Sequence, residues 1–406
     1  KTAYEISLGL VGSEMCIRDR ICTNALVAFL HSLPRHVYGD WGRLDKNETI
    51  IWNHQTFPLL GIYSLARYIR RFYGDLDGRM DFYLSQVRGA FRGQLRSWKP
   101  QEDAMGYVLL VPNHTIAYTL CEGDYSYFES GNVKKFAEYM AHVCNNKGWP
   151  SGFGDFSYYR GSRLLTRILP VAFWFYRDGR FLWWLKRLVP DWRNPYWRDV
   201  RPRPWQELSG ITVIPLHPLV YEYTKRRPYY GGLPLRPPNV PLERAFDKIV
   251  LRENLDPDGQ YLLLDGYAGG KHLHYDGNAI VKCSMLGDDL LIDGDYLVRN
   301  TTEHSMVSIV RDGRASQLEP ICAALLAVAD FETTGFVRTA VLDWNGADWR
   351  RNIFWKKGEF FVVLDELVAR KEGDFVFECV WKTLDRRERE EGSWRFDGRG
   401  LHISIY

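Results

Sequence analysis

The apolar residues of this chain change period part-way along it, and that change limits the folds open to it. Thr56–Phe72 (TFPLLGIYSLARYIRRF) carries apolar residues at helical spacing, as do Arg79–Trp98, Asn132–Asn146 and Gly161–Leu188. Beyond about residue 245 they come instead in short or alternating runs: YLLLD, AIVKCSML, LLIDGDYLV, HSMVSIV, FVRTAVLDW, EFFVVLDELVA and DFVFECVWKTL. Turn residues (GDD, RDG, NGAD, KKG, KEGD) separate the runs, the pattern of an antiparallel β-sandwich. Between the two halves, 189–241 is rich in Pro, Trp and Arg and reads as a long irregular connection. The order predicts a multidomain α+β protein. Paired helices of similar length over 21–245 fit an α/α toroid, truncated at its start. A β-sandwich follows over 246–406, and its terminal GLHISIY reads as a strand that a truncation has reached.

Residues 1–20 are set apart from this reading. The stretch EISLGLVGSEMCIRDR resembles translated sequencing-adapter read-through, a contaminant of assembled metagenomic reads, and is expected to be artefactual or disordered. A leader peptide lost with the true N-terminus is compatible with this.

Composition excludes several function classes. With 46% hydrophobic and 25% charged residues the chain can bury a real core. Its net charge of +3 rules out a strongly basic nucleic-acid binder. The seven cysteines contain no CxxC, so neither a zinc ribbon nor a disulfide framework is indicated. No apolar run approaches the roughly 18 residues of a membrane span. Two biases point toward anionic sugars. Aromatic residues make up 15% of the chain, and flat rings stack on sugars as well as filling cores. Arg supplies 38 of the 53 basic residues, and its fork grips carboxylates and sulfates bidentately.

The chemistry-bearing residues fall in both halves. Gly269–Asn278 reads GGKHLHYDGN, followed by Asp293 in LLIDGD and His304 in RNTTEHSMV. His272 and His274 share one face if the segment is a strand, though glycines on both sides fit a loop equally. His and Asp side chains from neighbouring strands suit Zn²⁺; buried histidines bonded to backbone are the alternative. In the helical half Val111–Leu120 reads VPNHTIAYTL, with Asn113 and His114 adjacent and Tyr118 one helical turn on. Asn113 also fits a plain helix cap.

The run H-L-H-Y-D, the later D-G, and then R-N-T-T-E-H-S resemble the C-terminal half of the heparinase II/III-like polysaccharide lyases over about 260–385. The strand FVVLDELV extends the match. Two departures stand in it: Asp293 is followed directly by Gly294, and Ser305 occupies a position where Asn is usual. The resemblance implies an incomplete α/α toroid followed by an antiparallel β-sheet domain. It implies a structural Zn²⁺ on His274, Asp293 and His304, no organic cofactor, and His272 in the active cleft.

Such lyases cleave a uronate C4–O bond by β-elimination. The C6 carboxylate must be neutralised, a base must take the C5 proton, and an acid must protonate O4. By the same resemblance Asn113 bonds the carboxylate and His114 acts as base or neutraliser. The catalytic Tyr is Tyr158 or Tyr159 in GFGDFSYYR, oriented by Asp155 and Arg160. The polar cluster Asn53, His54 and Gln55 after Trp52 is expected to line the cleft with Tyr118 and Trp149, and Trp174 and Tyr176 are further stacking candidates. The implied partner is an anionic polysaccharide in the periplasm or outside the cell, with no nucleic acid and no membrane; the oligomeric state stays open, a dimer included. Three alternatives stay open too: a uronate C5-epimerase, a non-catalytic carbohydrate-binding protein, and an inverting hydrolase using two of Asp103, Glu122, Asp124 and Asp155.

Overall fold

A computed structural model describes residues 24–28 and 53–404, apart from short stretches at 77, 159, 162, 227–228, 231–232, 235, 271, 294–295, 316–317, 384–386, 391–392 and 397–400. Trp52 and Tyr159 lie outside the described residues. The first half is helical: α1 (Asn53–Tyr73), α2 (Arg79–Gln94), α3 (Leu110–Glu122), α4 (Ser126–Glu129), α5 (Asn132–His142), α6 (Leu165–Tyr176), α7 (Gly179–Leu188) and α8 (Pro218–Lys225). Helix α1 forms because Leu59, Ile62, Tyr63, Ala66 and Ile69 recur at helical spacing and bury one face. That face packs with Met80, Val87 and Phe91 of α2 and Val111 and Tyr118 of α3. Gly123, at φ 68°, ends α3 in the left-handed conformation that glycine adopts without strain.

The strands are β1 (Gly210–Pro215), β2 (Tyr229–Tyr230), β3 (Leu233–Pro234), β4 (Phe246–Arg252), β5 (Tyr261–Asp265), β6 (Ile280–Met285), β7 (Asp288–Ile292), β8 (Val307–Arg311), β9 (Ala324–Asp330), β10 (Thr334–Trp344), β11 (Ala347–Lys356), β12 (Phe360–Ala369), β13 (Phe375–Cys379), β14 (Arg387–Glu390), β15 (Ser393–Phe396) and β16 (Leu401–Ser404). An antiparallel sheet in the order β1-β4-β5-β6-β7 forms the central layer. Its inner strands β4 and β5 are buried along their whole length; β5 reads in sequence as the apolar run YLLLD, while β4 (FDKIVLR) carries three charged residues that the fold buries. A second antiparallel sheet, β12-β11-β10-β9, contributes Val337, Val341, Trp349, Ile353 and Trp355 to the core that Ile249, Leu251, Leu263 and Val281 share with the helices. This is the helices-then-sheets architecture read from the sequence. The segment read as a connection differs: within it β1 is an edge strand of the central sheet and α8 is a helix.

Buried charges tie the helical half to the central sheet. Lys248 of β4 reaches Asp103 at 2.9 Å and Asp265 of β5 at 2.9 Å, and Lys99 bonds Asp103 at 2.7 Å and also Asp247. All five side chains are excluded from water. Arg252, equally buried, donates to the Cys144, Ala141 and His142 carbonyls, so the guanidinium caps the C-terminal end of α5.

Removing the Lys248 cation would leave Asp103, Asp247 and Asp265 with Lys99 as their remaining partner in this cluster. We expect Lys248→Met to cost about 3–5 kcal/mol, because it strands buried charge. Urea unfolding of the two proteins measures this; a loss under 1 kcal/mol would show that the network does not clamp the halves.

Candidate active site

Three loops meet where the helical half faces the sheet. The Asp103 N–H donates to the Gly269 carbonyl at 3.1 Å, Met105 to Phe153 at 2.9 Å and Asp155 to His272 at 2.8 Å. Gly154, at φ 58°, sits at their junction, and a Cβ there would overlap the Asp103 and His272 carbonyls. Only a glycine fits.

Two imidazoles flank the first turn of α1. His114, half-buried near the start of α3, meets Thr56 Oγ1 through Nδ1 at 2.7 Å. The Thr56 hydroxyl donates its single proton to the Asn53 carbonyl at 3.0 Å. It must therefore accept from His114 Nδ1–H, which leaves the lone pair on Nε2. Burial lowers the His114 pKa, so this neutral tautomer is the stable one. Phe57, itself exposed, packs edge-on against the ring at 4.4 Å.

His272 lies across the same turn. Its Nδ1 bonds the buried carboxyl of Glu102, whose other oxygen accepts from Asn53 N–H at 3.3 Å. Burial pushes the Glu102 carboxyl up, and the His272 imidazole opposes that shift. The His272 ring stacks on Tyr107 at 3.8 Å, and the Tyr107 hydroxyl meets that of Tyr296 at 2.5 Å. Burial, and then Tyr296, raises the Tyr107 pKa, so the phenol keeps its proton. Exposed His54 lies 6.3 Å from His272, ring to ring.

Behind His272, the buried residues His274, Asp276 and His304 offer ligand atoms within 4.8 Å of one another. His274 Nε2 meets Asp155 Oδ1 at 2.9 Å, and His304 Nδ1 meets Asp293 at 2.8 Å. His304 Nε2 is buried with no hydrogen-bond partner. Two imidazoles, one with its Nε2 unpartnered, and a carboxylate fit a Zn²⁺ ion. The cluster differs from the expected set in one member. Asp293 backs His304, and Asp276, the acidic residue of H-L-H-Y-D, takes the third position.

Several predicted site residues lie elsewhere. Tyr118 is buried, stacked on Phe91 at 4.3 Å and edge-on to Tyr63, so it is core. Asn53, Gln55 and Asp155 are buried as well. Tyr158 donates to Asp289 at 2.9 Å beside Arg160, and burial pushes its pKa up to about 12. Arg160 also pairs with Asp288, and the half-buried Trp149 ring is already flanked by Lys147 and Arg160. The hydrolase carboxylates are engaged too: Asp103 in the lysine network, Asp155 on His274, Glu122 on Tyr63, and Asp124 capping Ser126. Sequence reasoning missed Glu102, Tyr107 and Tyr296. Asp276 alone carried a signal, as the last residue of the motif.

The fold has known counterparts. A crystal structure of heparinase III aligns with a TM-score of 0.56 at 13% identity, over 80% of this chain and 48% of that one. A second heparinase III structure, with methylated lysines, gives 0.52 at 12% identity, over 84% and 48%. The chain thus has a heparinase III-like fold and spans about half the length of those structures. No protein-family model and no curated protein sequence matches it.

Gly154→Ala tests whether the loop junction holds the site. We expect a loss of roughly 3 kcal/mol from the forced backbone conformation and the overlap with it. An unchanged urea midpoint would show that the three loops can separate without cost.

Proposed function

We propose that this chain is a polysaccharide lyase that cleaves a uronate-containing polymer by β-elimination. The observation that carries the reading is the pair of imidazoles held on either side of one helical turn, with opposite partners. His114 is backed by a neutral hydroxyl and His272 by a carboxylate. His272, with Asn113, is assigned to the substrate carboxylate, where hydrogen bonds to its oxygens acidify the C5 proton. His114 Nε2, neutral and unprotonated, takes that proton. The C4–O4 bond then breaks as the C4–C5 double bond forms, and the Tyr107–Tyr296 hydroxyl pair supplies a proton to O4. The heparinase III-like fold supports the reaction class. Glu102 is a positioning residue, since it acts through His272.

A uronan polymer is the proposed partner, met outside the cytoplasm. Among the described residues no helix is long and apolar enough to cross a membrane. Zn²⁺ is proposed at His274, Asp276 and His304, with Asp155 and Asp293 fixing the two rings from behind. The ion would hold the loop that carries His272 and takes no part in the elimination steps assigned here.

Growth of near-UV absorbance on a panel of uronans tests the reaction. We expect His114→Ala and Tyr107→Phe each to lower kcat by ~10²–10⁴-fold, the usual worth of a positioned acid or base. Tyr158→Phe should stay within about tenfold of the parent, because its hydroxyl serves Asp289. Proton exchange at C5 without absorbance would replace the lyase by an epimerase.

The pH profile tests the base. His114 must be neutral to act, and burial lowers its pKa from 6.5. The acid limb of kcat/KM should therefore fall below pH 6.5, with activity lost only as His114 gains its proton. A limb above 6.5 that persists in His114→Gln would exclude His114 as the base.

Zinc is tested by calorimetric titration and thermal melting of chelator-treated protein. One Zn²⁺ per chain should bind, and a hundredfold excess over Kd should stabilise the fold by about 2.7 kcal/mol. His304→Ala should abolish both effects. Equal binding by parent and variant would remove the assignment.

A further inference from the structure

The Pro-, Trp- and Arg-rich segment read from the sequence as a connection is built too firmly to be one. After α7 it turns back along the α6–α7 hairpin. Trp197 Nε1 donates to the Trp174 carbonyl at 2.8 Å, and Arg203 N–H to the Gly179 carbonyl at 3.0 Å. Asn194 Oδ1 accepts from the Tyr196 and Trp197 N–H groups at 3.0 and 3.2 Å, which fixes the turn between them. The Arg177 guanidinium lies 3.6 Å from the centre of the half-buried Trp197 ring.

Charge over the α6–α7 turn, α7 and the start of this segment is out of balance. Residues 177–203 hold eight Arg or Lys against three Asp, in a chain whose net charge is only +3. Asp178 is taken up by Arg180, with Lys134 and Arg203 further off. Among the described residues, Arg177, Arg193, Arg198 and Arg201 are exposed and make no ion pair with a carboxylate. Exposed Tyr196 stands among them. Exposed guanidinium forks without a carboxylate partner, in a stretch that also exposes Tyr196, match a polymer that carries an anion and a sugar face on each unit. None of these residues belongs to the cleft described above.

We propose that this Arg/Trp surface is a second, non-catalytic binding site for an anionic polysaccharide chain. It takes its ligand class from the proposed function, and it would hold a stretch of polymer remote from the bond being broken.

The test uses the full chain as His114→Ala, so that polymer is not consumed. Affinity electrophoresis and calorimetry compare it with the same chain also carrying Arg193→Ala, Arg198→Ala and Arg201→Ala. Heparin supplies sulfates, polygalacturonate supplies carboxylates alone, and duplex DNA serves as control. We expect the triple variant to bind at least one of the two polysaccharides tenfold or more weakly, with an unchanged melting temperature. The polymer affected identifies the anion. The exchange of all three for Lys should fall between, keeping charge and losing the fork. With His114 restored, the triple variant should turn over a short oligosaccharide at the parent rate and show a raised KM for polymer. Equal polymer affinity in parent and triple variant overturns the proposal. So does tighter binding of DNA than of either polysaccharide, or no binding by the parent. Loss of binding in the triple variant alongside no elimination on any uronan leaves this site standing and removes the lyase reading.

Discussion

The buried cluster of Lys99, Asp103, Asp247, Lys248 and Asp265 is the constraint on which the rest of the structure depends. It pairs two cations with three carboxylates where no water can balance the difference. Burial raises the Asp265 pKa well above the ordinary carboxylate range, and one oxygen of that side chain has no partner. A proton retained there brings the cluster to neutrality. An apolar clamp of the same volume would be cheaper to bury. The ionic one fixes register, since each lysine must meet named oxygens on the other half. Asp103 adjoins Glu102, and Asp265 opens the loop that leads to His272. The clamp therefore sets the Glu102–His272 pair directly.

The architecture was legible because period survives packing. Helical spacing in α1 and α5, and apolar runs in β5 and β6, follow from which faces are buried, and burial is what selects those residues. Strand β1 was not legible. GITVIP is short, it lies at a sheet edge, and it sits in a stretch where proline density dominates any local pattern. Helix α8 was hidden the same way. Pro218 stands at its first turn, where a missing N–H costs nothing, yet a reader of sequence takes it for a break.

The site was legible only where chain neighbours act together. His272 and His274 could be paired with each other, and Asn113 with His114, because both pairs are local. Glu102 and Tyr107 are about 170 residues from the His272 they touch, and nothing in their surroundings marks them. Helical spacing also misled. Tyr118 does lie one turn beyond His114, but α3 runs from the cleft into the core within that turn, and Phe91 and Tyr63 close over the ring. Tyr158 stood in the motif GFGDFSYYR, but Asp289 holds its hydroxyl on the β6–β7 side.

The two histidines of H-L-H share one face if their segment is a strand, and the flanking glycines leave a loop equally open. The segment is a loop, and the difference shapes the site. His272 turns to Glu102 and Tyr107 in the cleft, while His274 turns to Asp155, beside Asp276 and His304. Both carboxylates that seize these rings come from the helical half, on either side of the Gly154 junction. The β half brings the imidazoles and the helical half orients them. Neither half alone would hold the contact between Glu102 and His272, so docking the halves and assembling the site are one event. The same buried lysines that resist separation of the halves thereby fix where the His272 ring lies in the cleft.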